Sequence, residues 1–558
     1  MKKYWWQDTI IYQVYLRSFQ DTNADGIGDL QGVIKRLDYL TWLGVDTLWI
    51  SPHYDSPMDD NGYDVRDFYK VSPDYGTLDD FKTLVSEAHK RNMKVITDLV
   101  LNHTSDEHPW FKAAQDPTHP EHEHYHDFYI WQKPTYTKRG ERTLPTRWVS
   151  WFGGPVWEYN AALDQYYLHI FSKKMPDLNW RNKTMREALK TMIKWWIDLG
   201  VDGFRVDASN HLEKNWDFPD AKPGYEHFSS LPKHHEYLEE LGAELFKPNN
   251  LLIIGEAGGA TKKEALQYAG FDSNEFNLLI QFEHCWADTD SDNTVTSGKW
   301  ATGPLNLPKI KKSFAHWIDV FKNNGWNTIY WANHDMPRIV SHYGDDQRYH
   351  ARSAKMLAYA LYVLPGTPIV YYGEEIGMTN VDYEHLTDFR DVEVYTEYEN
   401  FIRRGATHER AMQALRDRSR DNARSPMQWS DEAYAGFSPV SPWMKVNKNA
   451  ASINVNLQRH QDDSILMTYK DLLALRKAEA LAHGEATFID LDHPKAYCVK
   501  TVGKSHTYIV VANFSDATLD YPIEPKLKGY KLFMINVSTI QSTNTLVPYE
   551  ARIYRKRH

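Results

Sequence analysis

The stretch that decides the fold is MREALKTMIKWWIDLGVDGFRVD (185–207). In its first part, MREALKTMIKWWIDLG, apolar residues recur at a spacing near 3.6, which is typical of an amphipathic helix. The rest, VDGFRVD (201–207), is a short apolar run that predicts a strand. Helices that alternate with strands are the repeating unit of sheets built from parallel strands. This stretch therefore predicts an α/β fold.

The same alternation runs along most of the chain, with helical patterns such as LQGVIKRLDYLTWLG and LDDFKTLVSEAHKRN between short apolar runs. The other predicted strands are IIYQVYL (10–16), DTLWI (46–50), KVITDLVL (94–101), LLIIGE (251–256), FNLLIQF (276–282), NTIYWAN (327–333) and TPIVYYG (367–373). Eight strands with intervening helices predict a (β/α)₈ TIM barrel. A doubly wound open sheet is the alternative, and the count of eight favours closure.

Long segments without this alternation predict further domains. The barrel is predicted over 1–103 and 176–480, with a small domain, 104–175, inserted after the third strand. A second insertion, about 374–463 and after the eighth strand, is expected to be irregular. Beyond it, segments such as KAYCVKTV and HTYIVVANF alternate in the manner of strands. They predict a C-terminal antiparallel β-sandwich domain over 481–558.

Composition excludes several classes of function. The 558 residues carry a net charge of −11 with no long basic run, which argues against nucleic acid as a partner. No run of eighteen apolar residues exists, so no membrane span is expected. The N-terminal MKKYWWQDTI has lysines like a signal peptide, but no cleavage site follows. Two distant cysteines, Cys285 and Cys498, fit a reducing compartment, so we expect a cytoplasmic protein.

Ionisable residues stand at the carboxyl ends of several predicted strands, where TIM barrels place their functional groups. They are Asp98 with Asn102 and His103, Arg205 with Asp207, Glu256, and His334 with Asp335. Like charges that lie close together raise one another's pKa and destabilise a fold. Carboxylates from separate strands that converge on one barrel mouth therefore indicate a functional site.

Four segments that contain these residues resemble a known family. DLVLNH (98–103), GFRVDASNH (203–211), GEAGG (255–259) and NHDMPR (333–338) resemble the four signature regions of the α-amylase superfamily of glycoside hydrolases. Their order and intervals match over essentially the whole chain. WWQDTIIYQVYLRSFQDTNADGIGDL (5–30), DNGYD (60–64) and SRDNARSPMQW (419–429) are similar to the α-glucosidase and oligo-1,6-glucosidase branch.

The resemblance implies catalytic roles for three carboxylates. Asp207 would be the nucleophile and Glu256 the general acid/base of a retaining double displacement. Asp335 would bind sugar hydroxyls and favour the distorted ring, with His103 and His334 as hydrogen-bonding neighbours. From its place two residues before the nucleophile, Arg205 should keep Asp207 ionised and its pKa low.

The resemblance also implies substrate contacts away from the catalytic carboxylates. Asp60 and Arg424 would form a charged pair on the terminal hydroxyls of the non-reducing glucose, and Tyr63 would stack on that ring. Such a pair closes one end of the site, so cleavage is expected at chain ends. Ala208, the residue after the nucleophile, and Phe152 complete the substrate-binding residues that we expect.

The loop DTNADGIGD (21–29) imitates the start of an EF-hand, with oxygen-bearing side chains on alternate positions. The twelfth position of that motif is Gly32 instead of glutamate, and a strand precedes the loop, so the sensor interpretation fails. The segment resembles a calcium site of this branch, which implies Asp21, Asn23, Asp25, Asp29 and the carbonyl of Ile27 as ligands. A structural Ca²⁺ is expected, with Mg²⁺ or an empty site as the alternatives. The histidine-rich HPEHEHYHDF (119–128) is interpreted as a solvated loop.

Two departures from the branch concern the linkage that is cleaved. Enzymes of this branch that act on α-1,6 bonds typically carry Val where this chain has Ala208, and QPDLN where it has MPDLN (175–179). Both favour an exo-acting α-glucosidase on short α-1,4 malto-oligosaccharides, with oligo-1,6-glucosidase as the alternative. Trehalose-6-phosphate hydrolase, sucrose isomerase or transglucosylase, and a non-catalytic binding subunit are less favoured. The expected partner is a small oligosaccharide, and the expected state is a monomer or homodimer.

Overall fold

A computed structural model describes residues 4–558, so Lys2 and Lys3 of the N-terminal segment lie outside the described residues. Eight parallel strands form one sheet, as the sequence predicts. They are β1 (Ile11–Val14), β2 (Thr47–Ile50), β3 (Lys94–Val100), β4 (Gly203–Asp207), β5 (Leu252–Glu256), β6 (Leu278–Ile280), β7 (Thr328–Ile329) and β8 (Thr367–Tyr371). Their spatial order is β6-β5-β4-β3-β2-β1-β8-β7. The ring closes between β6 and β7, where the Thr328 hydroxyl donates to the Leu279 carbonyl.

Helices follow the strands and cover the outside of the barrel. Their ends are set by caps: Asp29 accepts a hydrogen bond from Gly32 N before the first helix, and Thr77 and Asp80 form a capping box before the second. The main helices are α1 (Leu30–Leu43), α2 (Leu78–Lys90), α3 (Lys183–Asp198), α4 (His234–Leu241), α5 (Lys262–Ala269), α6 (Leu307–Phe321), α7 (His350–Tyr362), α8 (Val392–Arg403), α9 (His408–Arg418) and α10 (Ile465–Ala478). None of the helices among residues 4–558 is both long and apolar enough for a membrane span.

The segment after β3 contains a small three-stranded antiparallel sheet of Trp131–Gln132, Gln165–Leu168 and Trp157–Asn160. It also contains a short helix, Pro109–Ala114. The histidine-rich run is partly helical over His122–Tyr125, so its interpretation as a loop is wrong there. The 103/104, 175/176 and 480/481 boundaries stay predictions.

We expected the segment after β8 to be irregular. It instead contains the neighbouring helices α8 and α9. Their apolar faces form a separate small core around Tyr383, Phe389 and Phe401. The sequence did not predict this pair of helices because both are rich in polar residues and their small core is separate from that of the barrel. Short helices Ile339–Tyr343 and Val455–Arg459 complete the region around it.

The C-terminal part is a five-stranded antiparallel sheet whose second face is covered by a two-stranded ribbon, which confirms the predicted sandwich. The sheet order is Glu485–Ile489, Ala496–Val502, His506–Asn513, Ala551–Arg557 and Lys531–Ile535, and the ribbon pairs Leu519–Asp520 with Thr545–Leu546. Tyr497, Val499 and Val510 join the main barrel core, whereas Cys498 and Ile509 belong to the core between sheet and ribbon. Alternate residues of a strand point to opposite faces of the sheet. One face of this sheet therefore packs on the barrel and the other on the ribbon.

Candidate active site

A single guanidinium lies at the centre of the barrel mouth. Arg205 is 1% exposed, and its Nη1 lies 2.7 Å from both Asp98 Oδ1 and Asp207 Oδ1. Its Nη2 lies 2.5 Å from Glu256 Oε2. One cation thus contacts carboxylates from three neighbouring strands, which offsets much of the repulsion among them.

Strand register brings these groups together. Arg205 on β4 pairs with Asp98 on β3, so both side chains leave the sheet at the same level. Asp207 and Glu256 are the last residues of β4 and β5. The backbone N–H of Ala208 lies 3.2 Å from Glu256 Oε2, which brings the glutamate carboxylate to the residue after Asp207. Asp207 and Glu256 therefore face the same small space, as the sequence predicts.

Asp98 is held behind this space and does not line the cavity. The indole N–H of Trp49 donates to its Oδ2 at 2.8 Å, and its other oxygen contacts Arg205. Burial raises the pKa of Asp98 to about 6, against the opposing charge of Arg205. Asp98 supports the position of the guanidinium.

The two predicted histidines are buried neutral rings. Burial lowers the pKa of His103 to about 4 and that of His334 to about 3. His334 Nε2 lies 2.7 Å from the Tyr63 hydroxyl, and Gln13 Nε2 donates to its Nδ1 at 2.9 Å. His103 Nε2 has no hydrogen-bond partner among residues 4–558 and faces the cavity, so it is available to a bound hydroxyl.

Asp335 lies between two arginines. Its Oδ1 is 3.1 Å from Arg424 Nη2 and 3.4 Å from Arg420 Nη1. Burial acts to raise the pKa of Asp335, but His334 and these two guanidinium groups outweigh it and hold that pKa well below its usual range. Asp335 is therefore a fixed negative charge beside Asp207 and Glu256 at neutral pH.

The predicted ion pair between Asp60 and Arg424 is wrong. Asp60 pairs instead with Arg420, at 3.1 Å, and the same guanidinium binds Asp391 at 2.6 Å. Arg424 is fully buried beneath Asp335 and does not line the cavity. The two arginines lie four residues apart in the same motif, and only the tertiary fold decides which one faces the substrate.

The expected low pKa of Asp207 is also wrong. Burial raises the pKa of Asp207 well above its usual 3.8, Glu256 and Asp98 raise it further, and Arg205 acts in the opposite direction. One guanidinium shared among three carboxylates does not compensate fully for their burial and mutual repulsion.

The cavity above these groups has a volume of about 620 Å³. Predicted residues that line it are Asp60, Tyr63, His103, Phe152, Asp207, Ala208, Glu256, His334 and Asp335. Its inner end is formed by the buried Asp60–Arg420 pair, and at its outer end Trp151 is 41% exposed. The cavity thus has a buried, charged end and an exposed, aromatic end.

The comparisons with known proteins agree with this geometry. Residues 13–484 match the family model described as the α-amylase catalytic domain. The chain is 42% identical to an oligo-1,6-glucosidase of Halalkalibacterium halodurans, over 99% of each chain. This chain belongs to the α-amylase family. It is thus a glycoside hydrolase, as the four signature segments imply.

Other members of the α-amylase family are similar over the same length. The chain is 41% identical to an α-glucosidase of Pediococcus pentosaceus, over 99% of each chain. The solved trehalose-6-phosphate hydrolase of Bacillus licheniformis is 38% identical, with a TM-score of 0.90 over 99% of this chain and 100% of that chain. The coverage includes the inserted and C-terminal parts as well as the barrel.

Several lining residues of this α-amylase-family enzyme were missed by sequence reasoning. They are Trp151, Phe171, Met175, Asn210, His211, Tyr225, Glu226, Phe282, Trp286, Lys299, Glu393 and Arg420. Met175, Asn210 and His211 lie in segments already singled out, Phe282 ends the predicted strand FNLLIQF, and Arg420 lies in SRDNARSPMQW. The others come from loops and from α8, where no pattern of spacing marks a residue that faces the site.

The predicted calcium loop lies outside this cavity. Asp21 Oδ1 accepts hydrogen bonds from the N–H groups of Asn23 and Ala24, at 3.0 and 2.8 Å. Asp29 Oδ1 caps α1, and Asp25 Oδ1 accepts from Ile27 N at 2.8 Å. Within residues 4–558, no group of three or more His, Cys, Asp or Glu side chains is placed to hold a metal ion. In this structure the carboxylates of Asp21 and Asp25 accept hydrogen bonds from backbone amides of their own loop.

Proposed function

We propose that this enzyme is a retaining, exo-acting α-glucosidase that releases glucose from the non-reducing end of short α-glucan oligosaccharides. The observation that carries the proposal is the contact of Asp207 and Glu256 with the two terminal nitrogens of one guanidinium, Arg205. Two carboxylates that share one guanidinium support the assignment of a nucleophile and a proton donor, because retaining double displacement needs two carboxyl groups about 5–5.5 Å apart.

The chemistry follows from the positions of these groups. Glu256 donates a proton to the glycosidic oxygen while Asp207 attacks the anomeric carbon, so the leaving sugar departs and a glycosyl ester forms on Asp207. Glu256, now ionised, then takes a proton from a water molecule that attacks the anomeric carbon, so the ester bond to Asp207 breaks and α-glucose is released. Arg205 stabilises the carboxylate of Asp207, and Asp335 adds fixed negative charge near the oxocarbenium-like transition state.

The exo mode rests on the closed end of the pocket. The Asp60–Arg420 pair is buried and is fixed by Asp391, so it offers charged hydrogen-bonding groups to terminal sugar hydroxyls. A chain that continued past this end would have to displace a buried ion pair, which costs several kcal/mol. Internal bonds of long chains therefore do not reach Asp207.

Preference for α-1,4 bonds rests on Ala208, which lines the pocket directly after the nucleophile. Its small side chain leaves room for the sugar that departs. The second candidate is an oligo-1,6-glucosidase, and the similarity to the Halalkalibacterium halodurans enzyme of that name favours it. The two specificities differ by only about 1–3 kcal/mol of transition-state binding.

The cations of the cavity argue against a phosphorylated substrate. Among the described residues that line it, Lys299 is paired with Glu393 at 2.5 Å, and Arg420 is paired with Asp60 and Asp391. A phosphate group would have to compete with these carboxylates. Trehalose 6-phosphate is therefore not the proposed substrate.

The test is hydrolysis of an aryl α-glucoside by the wild type and by Asp207→Asn. The wild type should be active, and the variant should lose at least about a thousandfold in kcat. NMR of the wild-type reaction should show α-glucose as the first product. Wild-type inactivity towards every α-glucoside, or β-glucose as the first product, would contradict the proposal.

A structural Ca²⁺ at the 21–29 loop remains part of the proposal, supported by alternating oxygen-bearing residues in a loop that caps α1. Added Ca²⁺ should raise the melting temperature of EDTA-treated protein, and Asp25→Ala, at an exposed loop position, should remove that shift. Equal melting temperatures with and without Ca²⁺ would show that backbone hydrogen bonds alone hold the loop.

A cytoplasmic location is likewise proposed and rests on Cys285 and Cys498, which are both free and buried. Their thiols are protected from solvent and make no disulfide with each other, as expected in a reducing compartment. A monomer or homodimer also remains a prediction.

A further inference from the structure

A second cavity of about 520 Å³ adjoins the mouth of the active-site pocket. It lies between the inserted loop 144–155 and helix α8. Trp151 and Tyr225 line both this groove and the active-site pocket, so the two cavities meet at this aromatic pair. We call it the distal groove.

The wall shared by the two cavities is an aromatic platform. The rings of Trp151 and Tyr225 stack with their centroids 4.2 Å apart and their planes at 6°. Trp151 nevertheless remains 41% exposed, and it is the only exposed tryptophan among residues 4–558. An exposed, flat indole at the mouth of a sugar site offers the apolar face on which a pyranose ring packs.

Hydrogen bonds fix this platform before any ligand arrives. Val149 N donates to the Pro223 carbonyl at 2.8 Å and joins the loop of Trp151 to the loop of Tyr225. The Ser150 hydroxyl donates to the Phe171 carbonyl at 2.8 Å. A surface that is ordered in advance loses little conformational entropy when it binds a chain.

Two glycines next to Trp151 shape the groove. A Cβ on Gly153 would lie 3.2 Å from Thr396 Cγ2, so the loop approaches α8 closely there. A Cβ on Gly154 would have nothing within 4 Å, because that residue faces the open groove. Both have φ near +80°, where glycine is favoured, so side chains are absent where they would narrow the groove.

The rest of the groove carries hydrogen-bonding groups of both kinds. It is lined by Arg147, Lys222, Glu397, Asn400 and Arg404 in addition to the aromatic pair. An uncharged polyhydroxylated ligand can donate to the carboxylate and accept from the cations and the amide. Stacking faces with mixed donors and acceptors suit a sugar better than a lipid or a nucleic acid.

We propose that the distal groove binds the glucose units of the substrate beyond the second from its non-reducing end, with Trp151 and Tyr225 beneath one ring. The proposal rests on the proposed function, because the reacting bond must lie at Asp207 and Glu256. A chain that leaves the pocket on the side of Trp151 passes over the aromatic platform. The enzyme therefore selects oligosaccharides longer than disaccharides.

The test compares disaccharide and tetrasaccharide substrates of the linkage that the wild type cleaves better. The wild type should show a higher kcat/KM for the tetrasaccharide, and Trp151→Ala should reduce the tetrasaccharide-to-disaccharide ratio about tenfold. Asn400→Trp, which fills the groove from α8, should reduce the ratio in the same direction. Tyr136→Ala, at an exposed tyrosine of the same inserted segment, is the matched control and should not change it.

A binding titration measures substrate binding in the distal groove independently of catalysis. In the Asp207→Asn background, calorimetry should give tighter binding for the tetrasaccharide than for the disaccharide, and added Trp151→Ala should remove the difference. The wild type could show equal kcat/KM for the disaccharide and the tetrasaccharide, or Trp151→Ala could lose equally on both. Either result would overturn the proposed binding role of the distal groove and leave the α-glucosidase proposal intact. A wild type inactive on all α-glucosides would reject the proposed function, and the titration would still decide the groove.

Discussion

At the scale of single residues, the site depends on how one buried guanidinium is shared. Arg205 contacts Asp98, Asp207 and Glu256, so the three carboxylates share one cation and their protonation states are coupled. Removal of any one charge redistributes the compensation that Arg205 provides. The ionisation of the nucleophile is therefore a property of the whole cluster.

Asp98→Asn should shift the acid limb of the kcat/KM profile to lower pH. Asp207 must be ionised to attack, so activity falls as pH falls through its raised pKa. Asp98 contributes to the raised pKa of Asp207, so neutral asparagine in its place lowers that pKa. The measurement is kcat/KM for an aryl α-glucoside between pH 4 and pH 8, and an unmoved acid limb would count against the charge coupling.

Ala208→Val should raise the isomaltose-to-maltose ratio of kcat/KM by about tenfold. The added methyl groups narrow the space where the departing sugar lies. Ala208 has φ 46° and ψ 36°, a region that β-branched residues avoid, so the variant should also be less stable. The ratio is measured on one preparation and is independent of the folded fraction, and an unchanged ratio would exclude Ala208 from linkage selection.

At the scale of elements, barrel strands and helices are joined by packed aromatic side chains, and one histidine is among them. His53, just after β2, stacks on Phe81 of α2 at 4.6 Å and lies edge-on to Trp196 of α3 at 4.8 Å. It is fully buried, and neither ring nitrogen has a partner among residues 4–558. Burial lowers its pKa from 6.5 to about 3.

His53→Phe should stabilise the protein, increasingly at low pH. Between pH 6.5 and pH 3 the unfolded histidine binds a proton that the folded one does not, so wild-type stability falls as pH falls through this window. The variant lacks this loss. The difference in unfolding free energy between His53→Phe and the wild type should increase by up to about 1.4 kcal/mol per pH unit below 6.5. Urea unfolding at pH 7 and pH 5 measures it, and a pH-independent gap would contradict the assignment.

At the scale of the whole molecule, the C-terminal sheet is anchored to the barrel by a buried lysine as well as by apolar contacts. Lys311 of α6 is 0% exposed, and its ammonium donates to the carbonyls of Asp490, His493 and Ala496 at 2.8, 2.8 and 2.9 Å. The turn that leads into the second strand of the sheet thus depends on a barrel helix. We infer that the two parts unfold together.

Lys311→Met should destabilise the protein by about 3 kcal/mol, because three carbonyls lose a charged donor while they remain near the interface. Lys312→Met is the matched control. Its side chain is 57% exposed and pairs with exposed Asp492, and such surface pairs contribute about 0–1 kcal/mol. Thermal unfolding of both variants should show a large loss only for Lys311→Met; equal losses would assign no special role to the buried ammonium.

The sequence alone predicted the eight strands, the order of the parts and the carboxylates of the site. Alternation of apolar runs with helical periods is a local property, and strand ends in a closed barrel must meet at one mouth, so Asp207, Glu256 and Asp335 could be assigned together. The antiparallel C-terminal domain followed from the two-residue period of its strands in the same way.

Only the tertiary structure decided which groups compensate these charges and what surrounds them. Arg420 rather than Arg424 pairs with Asp60, and the pKa of Asp207 is raised rather than low, because both depend on burial and on distances between distant segments. The α8–α9 pair and the Trp151–Tyr225 platform also join segments far apart in the chain. The spacing of apolar residues shows which face of a helix or strand is buried. The pKa of a group and the shape of a pocket depend on every residue nearby in space, including those from distant segments.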